Sequence, residues 1–110
     1  MSSINRELLK GSIDLVLLAI LERGPLYGYQ IVKEVKAASQ DVLLLKEGSL
    51  YPALHRLEKA GLVTSFWQAR EDGAPRRYYQ LTHAGVEAVT ARRSEWKIFT
   101  TAIERVLYHV

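Results

Sequence analysis

Ser49, Pro52, His55, Arg56 and Lys59 recur at three- and four-residue intervals, which places them on one face of a helix. Between them they carry a hydroxyl, an imidazole and two cations, and no carboxylate. Such groups donate hydrogen bonds, and the phosphates and base edges of duplex DNA present mostly acceptors. An ordinary solvated face of an amphipathic helix has the same pattern, because Leu50, Ala53, Leu54, Leu57 and Gly61 fall on the opposite, apolar side. Tyr51 lies on the flank, Glu58 on the far flank, and Glu47 precedes the helix.

Catalytic chemistry has little support. His55, His83 and His109 show no metal-ligand spacing, and no Gly-x-Ser-x-Gly turn or Gly-rich phosphate loop occurs. The absence of cysteine removes thiolate metal sites, cysteine nucleophiles and a disulfide scaffold. Asp14 lies in an apolar stretch, where bonding to a neighbouring backbone group or a tyrosine hydroxyl suits it better than catalysis. The expectation is a protein that is not an enzyme and holds no metal or cofactor.

The 110 residues are 48% apolar and 25% charged, one domain's worth of material with enough apolar surface to build a core. The longest apolar run, Leu15 to Leu21, is far shorter than the ~20 residues of a membrane span. Arg6, Glu7, Lys10 and Asp14 interrupt any signal-peptide pattern. A soluble, cytoplasmic domain without membrane contact is expected. Fifteen Lys and Arg against twelve Asp and Glu leave only +3. Eleven bases and nine acids precede Thr82, four and three follow it, so any contact with nucleic acid depends on placement rather than bulk charge.

The elements that position these residues are punctuated by Gly and Pro. A helix runs from Asn5, a candidate N-cap, to Arg23, and Gly24-Pro25 stops it. From Ile13 to Leu21 it is apolar nearly all round apart from Asp14, as befits a central helix. A second helix spans Gly28 to Ala38. Val42 to Leu45 is too short for a helix and reads as a small strand. The third helix covers Gly48 to Ala60, with Pro52 tolerated in its first turn and Gly61 as its stop. Leu62–Arg70 and Arg76–Leu81 flank the turn formers Glu71 to Pro75 and make a hairpin, with Tyr79 and Leu81 on its core face. Thr82 caps a last helix reaching about His109, its capping box incomplete because Gly85 occupies the Glu/Gln position.

Helix, helix, short strand, helix, hairpin, helix is the layout of a winged helix-turn-helix: mainly α with a small β-hairpin (α+β). Residues 1–81 are expected to form a winged helix-turn-helix DNA-binding domain and 82–110 a long C-terminal dimerisation helix. Winged helices also serve as protein-interaction modules, which is the alternative.

Several motifs carry a closer resemblance. Leu9-Lys10-Gly11-Ser12 with Asp14-Leu15, Gly24-Pro25-Leu26-Tyr27-Gly28-Tyr29-Gln30-Ile31, Glu47 to Glu58, Arg77-Tyr78-Tyr79 and Leu81-Thr82-His83-Ala84-Gly85 resemble the PadR family of bacterial transcriptional regulators, in its order and spacing. The match runs from about Leu8 to the C-terminus, and the single last helix resembles the family's compact subgroup. The resemblance implies a dimeric winged-helix repressor of pseudo-palindromic operator DNA. It places Ser49, Tyr51, Pro52, Arg56 and Lys59 in or beside the major groove, and Lys10, Tyr27 and Tyr29 on phosphates. Arg76 and Arg77 at the wing base, with Arg70 opposite, would meet the backbone or minor groove. Tyr27 and Tyr29 could equally be packing residues. Glu71-Asp72 makes the wing tip acidic, which argues against deep minor-groove insertion.

In the last helix Val86, Val89, Arg93, Trp96, Thr100, Ile103, Leu107 and Val110 approximate a coiled-coil seam, flawed at Arg93 and Thr100. Phe99 and Val106 broaden it. A helix of that length spans about 40 Å, so its stripe must meet another surface, most simply its own copy across a two-fold axis. Val86, Val89, Trp96, Ile103, Leu107 and Val110 are the expected dimer contacts. Trp96 sits near the flaws, where a gap between subunits could take a small flat aromatic effector. Leu15, Leu18, Trp96 and Phe99 are its candidate lining, and a plain packing role for Trp96 stays open. Members of the resembled family respond to such ligands.

Overall fold

The computed structural model describes residues 6–109, with side chains from Leu8 onward except Lys10. Asn5 as N-cap, the Lys10 side chain and Val110 lie outside the described residues. Helix α1 covers Arg6–Ile20 and continues as a 3-10 turn over Leu21–Arg23. A two-residue strand β1 (Leu26–Tyr27) leads into α2 (Gly28–Ala38). Then follow α3 (Glu47–Lys59), β2 (Val63–Arg70), β3 (Gly73–Leu81) and α4 (His83–Tyr108).

The core is one cluster centred on α1. Ile13, Leu17, Leu18, Ile20 and Leu21 meet Ile31 and Val35 of α2, Leu50, Ala53, Leu54 and Leu57 of α3, Val63 and Tyr79 of the sheet, and Val89 of α4. An apolar helix with neighbours on every side is what the α1 pattern demands. Because Val89 belongs to this cluster, the expected boundary at Thr82 falls inside a continuous core.

The sheet order is β1-β3-β2, all antiparallel. Leu26 and Tyr27 pair with Tyr79 and Tyr78. The expected strand at Val42–Leu45 is not one: this segment is irregular, and Leu45 alone of the four is fully drawn into the core. The hairpin turn is shorter than its composition suggests, Glu71-Asp72, and β3 begins at Gly73 and includes Pro75.

The end of α3 and the start of α4 are tied together through four residues. Gly61 donates to the Glu58 carbonyl and Leu62 to the Leu57 carbonyl, both at 3.0 Å, closing α3 with Gly61 at φ 79°, the left-handed turn that favours glycine. Thr82 donates its N–H to the Leu62 carbonyl at 3.1 Å and its hydroxyl to the Gly61 carbonyl at 2.6 Å. The same hydroxyl accepts the Gly85 N–H at 3.0 Å and so caps α4. Gly85 lies directly against the Leu62 carbonyl, where a Cβ would collide with backbone. This is why glycine replaces the acidic partner of a capping box.

Gly85→Ala is expected to lower the unfolding free energy by about 2 kcal/mol, because backbone must shift to admit the methyl. Urea unfolding checks this. A loss below about 0.5 kcal/mol, typical of an unconstrained surface site, would show that the contact yields freely.

Candidate nucleic-acid interface

Helix α3 presents the expected arc: Ser49, Tyr51, Pro52, His55, Arg56 and Lys59 are all exposed, while Leu50, Ala53, Leu54 and Leu57 are buried. Tyr51 is only partly available. Its hydroxyl end rests on Gly28, where any side chain would collide with the ring, so Tyr51 also locks α3 against the start of α2. Gln30 accepts the Tyr27 N–H at 3.2 Å and helps cap α2. Tyr29 is exposed, with the Lys33 ammonium 5.3 Å from its ring.

Arg56 does not extend away from the helix. Its Nη2 donates to Asp14 Oδ1 of α1 at 3.0 Å. Asp14, expected to bond backbone or a tyrosine, finds its partner in a cation 42 residues away. The reason is geometric, since α1 and α3 pack against each other within the one core cluster.

The wing cations are divided between the two sheet faces. On the outer face the Arg76 guanidinium lies 4.2 Å from the Tyr27 ring. Tyr27 meets Tyr78 edge-on at 5.4 Å, and Tyr78 stacks on Phe66 at 5.6 Å. On the inner face Arg77 Nη2 donates to Glu58 Oε1 of α3 at 3.2 Å and Arg77 Nε to Ser65 Oγ at 3.0 Å. Ser65 in turn donates to Glu58 Oε2 at 2.6 Å. Arg77 also lies over Tyr79. Burial raises the Tyr79 phenol above its ordinary 10.0, while the Arg77 charge acts in the opposite direction. Arg70 folds back to donate to the Ala74 carbonyl at 2.8 Å, bracing the turn. Sequence reading missed Glu58 and Ser65 as the partners of Arg77. The period-two pattern of β2 puts Ser65 on the face of Val63, but nothing local pairs it with Glu58 of α3.

Along α4 one face changes its surroundings part-way. Gly85 and Val89 are buried against their own chain, whereas Trp96, Phe99, Ile103, Val106 and Leu107 are exposed. Val89, expected in the dimer seam, is thus occupied within the core. Val86 is half exposed. Both polar flaws have partners: Arg93 pairs with Glu22 of the 3-10 turn, and Thr100 donates to the Trp96 carbonyl at 2.9 Å. A hollow of about 340 Å³ opens between α1, α3 and α4, lined by Gly11, Asp14, Leu15, Arg56, Arg92, Glu95 and Trp96. Leu18, at 0% exposure, is sealed in the core and lines nothing. Phe99 stands beside Trp96 at 6.2 Å, outside that lining.

Among the described residues no group of His, Asp and Glu could hold a metal ion, and no helix is long and apolar enough to cross a membrane. Three helices, a hairpin wing and a donor-bearing third helix define a winged helix-turn-helix of the transcription-regulator class. The model of the transcriptional regulator PadR-like family matches residues 17–91, and the chain belongs to that family. It is therefore a transcriptional regulator rather than an enzyme.

Transcriptional regulator Rv3488 of Mycobacterium tuberculosis is 35% identical over 88 residues, 80% of this chain and 78% of that one. The chain spans 44% of transcriptional regulator YqjI of Escherichia coli, 27% identical over 86% of this chain. Among solved structures, a transcriptional regulator from Clostridium thermocellum superimposes with a TM-score of 0.82 at 29% identity, covering 90% of this chain and 96% of that one. A PadR family transcription regulator from Clostridium difficile gives 0.76 at 33%, covering 87% and 98%.

Exposed ion pairs contribute about 0.2–1 kcal/mol, and the Asp14–Arg56 side chains are 37% and 57% exposed. A double-mutant cycle with Asp14→Ala and Arg56→Ala is expected to return a coupling in that range. A value above about 2 kcal/mol would make the pair a structural clamp instead.

Proposed function

We propose that the chain is a homodimeric repressor that binds a pseudo-palindromic DNA operator through α3 and the wing, and is released by a small aromatic effector. The observation that carries the DNA reading is the α3 arc, where Ser49, His55 and Lys59 are exposed together beside the apolar face that seats the helix. On this reading Ser49, Tyr51, Pro52 and Lys59 lie in or beside the major groove. Lys10, Tyr27 and Tyr29 meet phosphates, and Arg70, Arg76 and Arg77 meet the adjacent backbone. Arg56 exchanges Asp14 for an acceptor on DNA, an exchange that a weak exposed pair permits. Repression, rather than activation, follows the family resemblance, and the cytoplasm is where such a regulator reaches DNA.

The dimer is supported by the α4 stripe, which runs on from the core into solvent without a change of face. The molecule measures 57 × 34 × 20 Å with a radius of gyration of 15.5 Å, against about 13 Å for a compact chain of this size. Its projecting apolar helix calls for a second copy. One observation favours the competing protein-interaction module: Arg56 and Arg77, two of the expected DNA cations, are held by carboxylates.

Selection from random duplex DNA at near-physiological salt separates the two. An enriched inverted repeat with half-sites about one helical turn apart is expected. Lys59→Ala should then weaken binding on all sequences and reduce the salt slope by about one. No enrichment, together with no effect of Lys59→Ala, would leave the interaction module.

The effector reading rests on the hollow beside Trp96 and on that ring's 45% exposure. Planar aromatic compounds are expected to change indole emission saturably. If Trp96→Ala shows the same change, the indole is a packing residue.

A further inference from the structure

Trp67 is 67% exposed, and nothing assigned so far uses it. It pairs with Arg77 across the hairpin, whose guanidinium carbon lies 5.8 Å from the indole. Strand alternation places Val63, Ser65 and Trp67 on one face of β2, with Leu81, Tyr79 and Arg77 opposite them on β3. Val63 and Tyr79 are buried in the core. Ser65 and Arg77 reach Glu58 near the end of α3. Trp67 is the next step outward on the face whose Ser65 and Arg77 reach the flank of α3 at Glu58.

This face is held in place. Glu58 accepts from both Ser65 and Arg77, and Arg77 bonds Ser65 as well, so the sheet position that carries the indole is fixed relative to α3. Burying a large aromatic from this position would release much apolar surface from water. The indole Nε1–H can only donate, and the Arg77–Glu58 pair beside it is neutral overall, so no uncompensated carboxylate repels a phosphate there. Glu58, the nearby carboxylate on this face, already has both oxygens occupied. At the hairpin tip Glu71 and Asp72 repel phosphates, so an approach to DNA tip-first is disfavoured and one by the inner face near the wing base is favoured.

We infer that Trp67 is the wing's principal DNA contact. The indole packs on a deoxyribose next to the groove that α3 reads, its Nε1–H donates to a phosphate oxygen, and Glu58 positions it through Arg77 and Ser65. The inference rests on the DNA-binding reading above.

The test uses the duplex enriched by selection, carrying a fluorophore, with the full chain. Trp67→Ala is expected to weaken binding about tenfold. Trp67→Phe, which keeps a ring and loses the donor, should weaken it about threefold. Both should unfold at the wild-type temperature, since the side chain is exposed. The duplex should also quench wild-type indole emission, and that quench should vanish in Trp67→Phe. Suppose Lys59→Ala weakens binding while Trp67→Ala stays within twofold of wild type and the quench survives Trp67→Phe. The wing inference is then overturned and the DNA reading stands. If no duplex is enriched and Lys59→Ala changes nothing, both fall together.

Discussion

The Leu62 carbonyl, pressed against Gly85, is the constraint on which the arrangement of α3 and α4 depends. Leu62 closes α3 with its N–H, receives Thr82 on its carbonyl, and rests on the first turn of α4. One residue therefore joins the end of the helix that carries the donor arc to the start of the helix that leaves the domain. A backbone-to-backbone contact admits less slack than a pair of side chains, so the angle between the two helices is tightly set. In a dimer built on α4, that angle fixes how far apart the two α3 helices lie. The Leu-Thr-x-x-Gly motif is thus structural in its chemistry, and it serves recognition only through geometry.

Around this joint the charged side chains link elements rather than reinforce the core. Asp14–Arg56 ties α1 to α3, Glu58–Arg77 ties α3 to the wing, and Glu22–Arg93 ties the end of α1 to α4. Each is exposed enough that its net stabilisation is small; the apolar cluster holds the fold. What these pairs set is direction. Two long cationic side chains that would otherwise sample many rotamers are held beside the candidate interface, and at Arg56 a phosphate can replace the carboxylate partner without dismantling any packing.

Much of the architecture was legible in the residues, and the failures have physical causes. Helix α2 spans Gly28 to Ala38 as its apolar spacing indicates, and Thr82 caps α4 as expected. Tyr79 is buried as strand alternation requires. By contrast the third strand is Leu26–Tyr27, too short to show any periodicity, and it exists only because Tyr78 and Tyr79 lie alongside it. Val42 to Leu45 has the composition of a strand but pairs with none of the three in the sheet. Of the candidate site, the α3 arc could be read from spacing alone. The partners of Arg56 and Arg77 could not, because they lie on other elements and are chosen by tertiary packing. Val89 illustrates the same limit. Its heptad position says that it is buried, not against which chain.

The acidic turn at Glu71-Asp72 has a consequence for time rather than for structure. A protein that finds its site on a chromosome spends most of its search on wrong sequences, held there by charge alone. With a net charge of only +3 and a wing that ends in two carboxylates, a DNA reader of this design would owe its hold on wrong sequences to the cations placed beside α3 and the wing base. Its time on a wrong sequence would then be set by how many of those cations meet a phosphate before shape and hydrogen bonding align the rest.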